Sequence, residues 1–86
     1  MKPEIYILSL ANGQYYIGST HDVERRLIEH NSGKTKSIRH KLPARLVFRQ
    51  EIATLPEARK TEYKLKQKKS KRIIETIITS GKIEIK

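Results

Sequence analysis

The pattern of apolar and polar positions predicts two neighbouring strands near the start of the chain. The run EIYILSL, residues 4–10, is rich in β-branched and aromatic residues, and the run QYYIG, residues 14–18, has the same character. Asn12 and Gly13 lie between the two runs and tolerate the positive φ angles of a tight turn. The segment therefore predicts a β-hairpin.

Both faces of this hairpin carry apolar residues. Successive side chains of a strand point to opposite faces, so alternate positions share a side. In the first run one set contains Tyr6, Leu8 and Leu10 and the other contains Ile5 and Ile7. In the second run Tyr16 and Gly18 alternate with Tyr15 and Ile17. We therefore expect the hairpin to be covered on both sides.

The spacing changes to a helical period between His21 and Asn31. Val23, Arg26, Leu27 and His30 follow one another at i, i+3, i+4 and i+7, which places them on one stripe of a helix. Arg26 and His30 are therefore expected to be neighbours. Ser19 or Thr20 is predicted to cap the start of the helix, and Asn31-Ser32-Gly33 to end it. The following segment, residues 34–44, is predicted to be a basic loop.

The second half of the chain predicts one more strand and two more helices. The strand-like run RLVFRQEI, residues 45–52, precedes a capping box at Thr54-Leu55-Pro56-Glu57 that starts a helix. Its inner stripe contains Ala58, Thr61, Glu62 and Leu65, so a carboxylate is expected to face inward. Ser70 is predicted to cap a last helix with an apolar stripe of isoleucines, and Gly81 to end it. The final KIEIK alternates like a strand.

The charge of the chain favours a polyanionic partner. Nineteen Lys and Arg against nine Asp and Glu give a formal net charge of +10, and such an excess promotes phosphate binding through counterion release. A solvated surface is the alternative interpretation, but the basic residues are clustered in the loop and in the region of residues 59–72. The residues that we expect to contact nucleic acid are Lys34, Lys36, Arg39, Lys41, Lys64, Lys66, Lys68 and Lys69.

The length and composition of the chain exclude several kinds of functional site and several classes of protein. The chain has no cysteine, which excludes disulfides, thiolate zinc sites and a thiol nucleophile. It has no apolar run long enough to span a membrane and no pattern of a secretory signal, so we expect a cytoplasmic location without membrane contact. With 86 residues, one domain over residues 1–86 is expected.

Five polar residues are expected to face the interior or the edge of the sheet: Tyr6, Tyr16, Arg26, His30 and Glu62. Each has a structural explanation, since strand tyrosines and helix histidines are commonly packing residues and an inward glutamate can pair with Arg26. Next to a surface that favours polyanions, however, these five side chains match the groups that metal-assisted phosphodiester cleavage uses. That reaction needs a carboxylate for a divalent cation, a guanidinium for a phosphate and a phenol or imidazole for proton transfer.

The chain resembles the GIY-YIG nuclease superfamily, in the minimal single-domain branch related to the N-terminal domain of the excision-repair C subunit. Its second signature is intact as Tyr16-Ile17-Gly18, and its first is present as Glu4-Ile5-Tyr6. Arg26 falls in the family's arginine position and His30 in its His/Tyr position. Glu62 falls in the helix that bears the family's metal-binding glutamate. The similarity covers nearly the whole chain.

The resemblance implies an α+β domain in the order ββαβαα, with helices flanking a three-stranded antiparallel sheet. It also implies that Glu62 holds Mg2+ or Mn2+, that Arg26 neutralises charge in the transition state, and that Tyr6 is the general base, aided by His30 or Tyr16. A tyrosine, with an ordinary pKa of about 10, needs nearby cations that lower its pKa. His30, with an ordinary pKa of about 6.5, accepts protons more easily. The choice between Tyr6 and His30 as base stays open.

Two positions depart from the family pattern. Glu4 stands in place of the glycine of the first motif, and Ser19 stands where repair-type relatives carry a lysine. The implied function is a metal-dependent endonuclease that acts on DNA, directed by structure and serving DNA repair or recombination, with specificity either low or supplied by a protein partner. RNA is also compatible as a substrate. The alternatives are a nucleic-acid-binding module that does not cleave and a platform for a protein partner.

Overall fold

A computed structural model describes residues 2–68 and 70–83 of the chain. The helices and strands, in order, are β1 Glu4–Ser9, β2 Tyr15–Thr20, α1 Val23–Asn31, β3 Arg45–Glu51, α2 Leu55–Lys68 and α3 Lys71–Ser80. The predicted α+β fold and its order ββαβαα are therefore confirmed. A short 3-10 turn, Arg39–Lys41, interrupts the basic loop. Of the KIEIK segment, Lys82 and Ile83 have no regular secondary structure, and residues 84–86 lie outside the described residues.

The three strands form one antiparallel sheet in the order β2-β1-β3. Tyr6, in the middle of the central strand, lies opposite Gly18 of β2 and opposite Arg49 of β3. The hairpin between β1 and β2 is formed as predicted, with Gly13 in its turn at a φ of 87°. Because β1 is paired on both sides, β2 is left as an edge strand of the sheet.

The sheet is covered on both faces, as the two sets of alternating apolar positions predicted. One cluster joins the sheet to α2 and α3 and contains Ile5, Ile7, Ile17, Phe48, Ala58, Leu65, Ile74 and Ile77. The other joins the sheet to α1 and the basic loop and contains Tyr6, Leu8, Leu10, Val23, Ile38 and Ala44. The tyrosine of the first motif therefore faces α1, whereas α2, which carries Glu62, covers the opposite face.

Helix α1 is capped by Asp22, so the prediction of a cap at Ser19 or Thr20 is wrong. The side chain of Asp22 accepts a hydrogen bond from the N–H of Arg25 at 3.1 Å. Ser19 and Thr20 are still paired with β1 as the last residues of β2, and the first helical residue is Val23, so both lie too far before the helix to cap it. Thr20 instead accepts a hydrogen bond from the N–H of Asp22, at 3.1 Å.

The predicted ends of the last two helices are present. The N–H of Glu57 donates to the hydroxyl of Thr54, and the N–H of Ile73 donates to the hydroxyl of Ser70, each at 3.3 Å. Gly81 ends α3 at a φ of 78°, a conformation that favours glycine. Within the described part of the chain, no helix has both the length and the apolar character needed to cross a membrane.

Candidate active site

A hydrogen bond between Tyr6 and His30 lies at the centre of the site. The Tyr6 hydroxyl is 2.8 Å from Nε2 of His30, and the two residues are 2% and 0% exposed. Strand alternation turns Tyr6 toward α1, and the helical period places His30 on the same buried stripe as Val23. Two residues 24 positions apart therefore meet inside the protein.

Tyr16 completes an aromatic cluster with these two residues. Its ring centre is 4.9 Å from that of His30, in an edge-on arrangement, and 6.4 Å from that of Tyr6. Tyr16 lies opposite Leu8 in the hairpin, which puts it diagonally beside Tyr6 on the same face. It is only partly buried, so Tyr16 forms the side of the cluster that a substrate can reach.

The glycine of the second motif is required by the tyrosine of the first. Gly18 is paired directly with Tyr6, and a Cβ atom at position 18 would overlap the Tyr6 ring, 2.9 Å from Cε1. Real Cβ contacts of that length are essentially never seen. The absence of a side chain at Gly18 therefore lets the Tyr6 ring lie against β2.

Burial keeps Tyr6 and His30 neutral near pH 7. Burial, reinforced by the nearby Tyr16, raises the pKa of Tyr6 to about 12, although Arg26 acts in the opposite direction. The expected lowering of the Tyr6 pKa by neighbouring cations is therefore not found, because lost solvation outweighs the attraction. Burial, followed by the charge of Arg26, lowers the pKa of His30. The hydrogen bond thus joins a neutral phenol to a neutral imidazole.

Arg26 lies one helical turn before His30 and donates from Nη1 to Glu29 at 3.0 Å. The interpretation that Glu62 is the partner of Arg26 is therefore wrong. The side chains of Arg26 and Glu29 are 38% and 24% exposed, and ion pairs so close to solvent contribute little to stability. The guanidinium can exchange Glu29 for a phosphate at little cost.

Glu62 is held by Ser19 and Lys66. The hydroxyl of Ser19 donates to Oε1 of Glu62 at 2.7 Å, and Nζ of Lys66 donates to Oε2 at 2.7 Å. Ser19 follows Gly18 in β2 and so faces α2, whereas Lys66 extends to within 5.8 Å of the centre of the Tyr16 ring. The site therefore spans the edge strand, with the tyrosines and His30 on one face and Glu62 on the other.

The donor atoms around Glu62 suit Mg2+ or Mn2+. In residues 2–68 and 70–83 no three His, Cys, Asp or Glu side chains come together as a metal cage. Mg2+ does not need one, because it commonly binds through one or two carboxylates and completes its shell with water and substrate phosphates. The Glu62 carboxylate and the adjacent Ser19 hydroxyl are oxygen donors of this kind. A metal ion held by the Glu62 carboxylate would compete with the ammonium of Lys66, which now binds Oε2.

The residues predicted to contact nucleic acid belong to the basic loop and to α2. Those described are exposed, except for the partly buried Lys41, and Lys69 lies outside the described residues. Lys41 and Lys66, one from each cluster, line an open groove of about 490 Å³ together with Tyr16 and Lys71. The remaining predicted contacts, Lys34, Lys36, Arg39, Lys64 and Lys68, do not line this groove.

Two residues of the site were missed by sequence reasoning or given another role. The sequence pattern does not indicate Thr35, yet its hydroxyl oxygen lies 2.5 Å from Nδ1 of His30. The sequence predicts Lys66 only as a contact of the nucleic acid. The i, i+4 spacing of Glu62 and Lys66 could have indicated their ion pair, whereas nothing in the sequence distinguishes Thr35 from other loop threonines.

Glu4, which replaces the glycine of the first motif, has a structural role away from the cluster. Its two carboxylate oxygens accept from Nε and Nη2 of Arg49 at 2.8 and 2.6 Å. Nη1 of Arg49 also donates to Glu24 of α1 at 2.8 Å. These contacts raise the pKa of Arg49. Glu4 therefore helps to connect β1, β3 and α1.

This arrangement matches a known family along most of the chain. The family model described as the GIY-YIG catalytic domain matches residues 2–75, which include every residue of the site described above. The chain belongs to the GIY-YIG family. The resemblance that the motifs indicated is thus confirmed, and the family indicates a nuclease with a nucleic-acid substrate.

Small proteins named UPF0213 are among the relatives of this GIY-YIG protein. One from Streptococcus pneumoniae is 46% identical over 69 residues, which cover 79% of this chain and 70% of the relative. One from Staphylococcus saprophyticus is 39% identical over 79 residues, covering 86% of this chain and 96% of the relative. The solution NMR structure of a UPF0213 protein from Bacillus halodurans superposes with a TM-score of 0.58 at 38% identity, covering 92% of this chain and 84% of that one.

Proposed function

We propose that this GIY-YIG protein is a metal-dependent endonuclease that hydrolyses phosphodiester bonds in DNA. The observation that carries the proposal is the convergence of Tyr6, Tyr16 and His30 in one cluster, with Arg26 one turn away and Glu62 across the β2 edge. Hydrolysis needs a group that takes a proton from water, a cation for the phosphate charge and a carboxylate for the metal. The site contains one of each.

The proposed roles follow from the surroundings of each side chain. The oxygen of a water forms a bond to phosphorus, the bond from phosphorus to one ester oxygen breaks, and the departing oxygen takes up a proton. The hydrogen-bonded Tyr6 and His30 accept the proton that the water loses. Arg26 leaves Glu29 and neutralises charge on the phosphate. Mg2+ or Mn2+ held by Glu62 would supply Lewis-acid stabilisation of the leaving oxygen.

The substrate is selected by its structure more than by its sequence. Lys and Arg contacts to phosphates position a nucleic acid but carry no direct sequence information. The groove that Lys41 and Lys66 line opens beside Tyr16, which gives the backbone a path to the site. A single domain over residues 1–86, a cytoplasmic location, a role in DNA repair or recombination and a partner that supplies specificity belong to this proposal. RNA is the alternative substrate.

The test is cleavage of branched, flap and duplex DNA in the presence of Mg2+ or Mn2+. We expect cleavage by the wild type and its loss in Glu62→Gln and Arg26→Ala, with the fold retained. Glu57→Gln is the matched control, because Glu57 is an exposed glutamate in the first turn of the same helix. Equal cleavage by all four proteins would remove the proposed site.

The ion pair on Glu62 favours a second candidate function, a nucleic-acid-binding module that does not cleave. Ser19 and Lys66 already satisfy both oxygens of the carboxylate, so its charge is balanced without a metal. This function predicts DNA binding that weakens with salt, is unchanged in Glu62→Gln and is accompanied by no cleavage with either metal.

A further inference from the structure

His30 has a hydrogen-bond partner on each ring nitrogen. Nε2 contacts the hydroxyl of Tyr6 at 2.8 Å, and Nδ1 contacts the hydroxyl of Thr35 at 2.5 Å. A neutral imidazole carries a proton on only one nitrogen, and the other nitrogen accepts. Tyr6 and Thr35 can each donate or accept, so the surroundings of their hydroxyl groups decide which nitrogen of His30 carries the proton.

The surroundings of Tyr6 decide the direction of its hydrogen bond. The hydroxyl is buried and protonated near pH 7, so its hydrogen needs an acceptor. Within residues 2–68 and 70–83, Nε2 of His30 is the acceptor that the structure provides. The neighbouring Arg26 is only a donor. If Nε2 carried a proton, the Tyr6 hydrogen would be buried without a partner, which is unfavourable.

Tyr6 therefore donates to Nε2, and the proton of His30 lies on Nδ1 and is donated to Thr35. Thr35 is partly exposed, so water can accept the hydrogen of its own hydroxyl. Its position is set by its neighbours: its carbonyl accepts from the N–H of Ile38 at 3.2 Å, and Ile38 is 3% exposed in the core beneath the loop. The acceptor opposite Nδ1 is therefore held in place by packing.

We propose that Thr35 is a positioning residue that holds His30 as its Nδ1-protonated tautomer, so that Nε2 is free to accept the proton of Tyr6. Transfer of that proton from the Tyr6 oxygen to Nε2 yields a tyrosinate and an imidazolium without changing the net charge of the pair. The imidazolium keeps its donation to Thr35, and the tyrosinate can then take a proton from water. The expected effect of Thr35 on cleavage rests on the proposed nuclease function, whereas the expected tautomer of His30 does not.

The tautomer can be measured by long-range proton–nitrogen NMR of the isotope-labelled protein, without metal or DNA. His21 and His40 are exposed and serve as references, and His30→Gln assigns the remaining signals. We expect His30 to carry its proton on Nδ1 in the wild type and in Thr35→Ser, which keeps the hydroxyl. In Thr35→Val the Nδ1 proton loses its acceptor, so the fraction of His30 that carries its proton on Nε2 is expected to rise, although Tyr6 still favours the Nδ1-protonated form. Thr79→Val, which changes an exposed threonine of α3, is the matched control and should match the wild type.

Cleavage provides the second readout. We expect Thr35→Val to lower kcat about 10- to 100-fold, which is the loss that removing the hydrogen-bond partner of a metal-binding histidine typically causes. Thr35→Ser is expected to restore most of the loss. A wild-type His30 protonated on Nε2, or a ratio of the two tautomers in folded Thr35→Val equal to that of the wild type, would overturn the proposal. The expected tautomers together with a wild type that does not cleave would support the positioning by Thr35 and contradict the nuclease function.

Discussion

Tyr6 and Gly18 are paired across the first hairpin, and the ring of Tyr6 occupies the space in which a side chain at position 18 would lie. The two motifs therefore depend on each other physically, because the buried tyrosine of the first needs the missing side chain of the second. The same packing places the Tyr6 hydroxyl against His30.

Gly18→Ala is expected to lower the free energy of unfolding by about 1–3 kcal/mol, the usual cost of overpacking. In a Tyr6→Leu background the same substitution should cost clearly less, because the flexible leucine can move away. Chemical denaturation of the four proteins of this cycle measures the coupling. Equal costs in both backgrounds would show that Gly18 is needed for some other reason.

Lys66→Met is expected to raise the affinity for Mn2+ about two- to fivefold. The substitution removes the ammonium that competes for Oε2 of Glu62, and partly exposed ion pairs are worth about 0.2–1 kcal/mol. Titration followed by the EPR signal of free Mn2+ measures the affinity without DNA. Lys64→Met, two residues earlier on the exposed side of α2, is the control and should resemble the wild type. An unchanged affinity in Lys66→Met would place the metal away from Oε2.

His30 is expected to make the protein less stable below about pH 6.5, the ordinary histidine pKa. Burial and Arg26 lower the His30 pKa in the folded state, so the unfolded state binds the proton more readily as the pH falls. Stability is therefore full above the unfolded pKa and is lost toward lower pH, by at most about 1.4 kcal/mol per pH unit. Denaturation between about pH 5 and 7 should show this slope in the wild type and in His21→Gln, whose histidine is exposed. A slope that persists in His30→Gln would assign the effect to another group.

Lys41 is expected to contact a backbone phosphate, because it lines the groove beside Tyr16. Lys41→Ala should then weaken DNA binding and reduce the slope of log K against log salt by about 0.9 for duplex DNA. Binding measured by fluorescence anisotropy over a range of salt concentrations gives the slope. Lys2→Ala also removes one exposed lysine, but away from the groove, and should leave the slope unchanged. Equal effects of both substitutions would indicate only a general charge effect.

The periodicity of apolar and polar residues was sufficient to predict the helices and strands and the face that each turns toward the core. Tyr6 and Ile5 fall on opposite sides of the sheet because strand geometry alternates side chains, and Val23 and His30 share the buried stripe of α1 because helix geometry repeats. The start of α1 was misplaced because the pairing of β2 continues through Thr20. That pairing depends on the partner strand, which local periodicity does not include.

The sequence by itself determined the family, the order of helices and strands, and the five residues that the site was expected to contain. These follow from local backbone geometry and from motifs that lie within single elements. Only the tertiary structure decided that Thr35 contacts His30, that Ser19 rather than Arg26 contacts Glu62, and that burial raises the pKa of Tyr6. Each of these depends on how α1, α2 and the basic loop pack around the sheet, and the resulting distances and loss of solvent are properties of the packed chain as a whole.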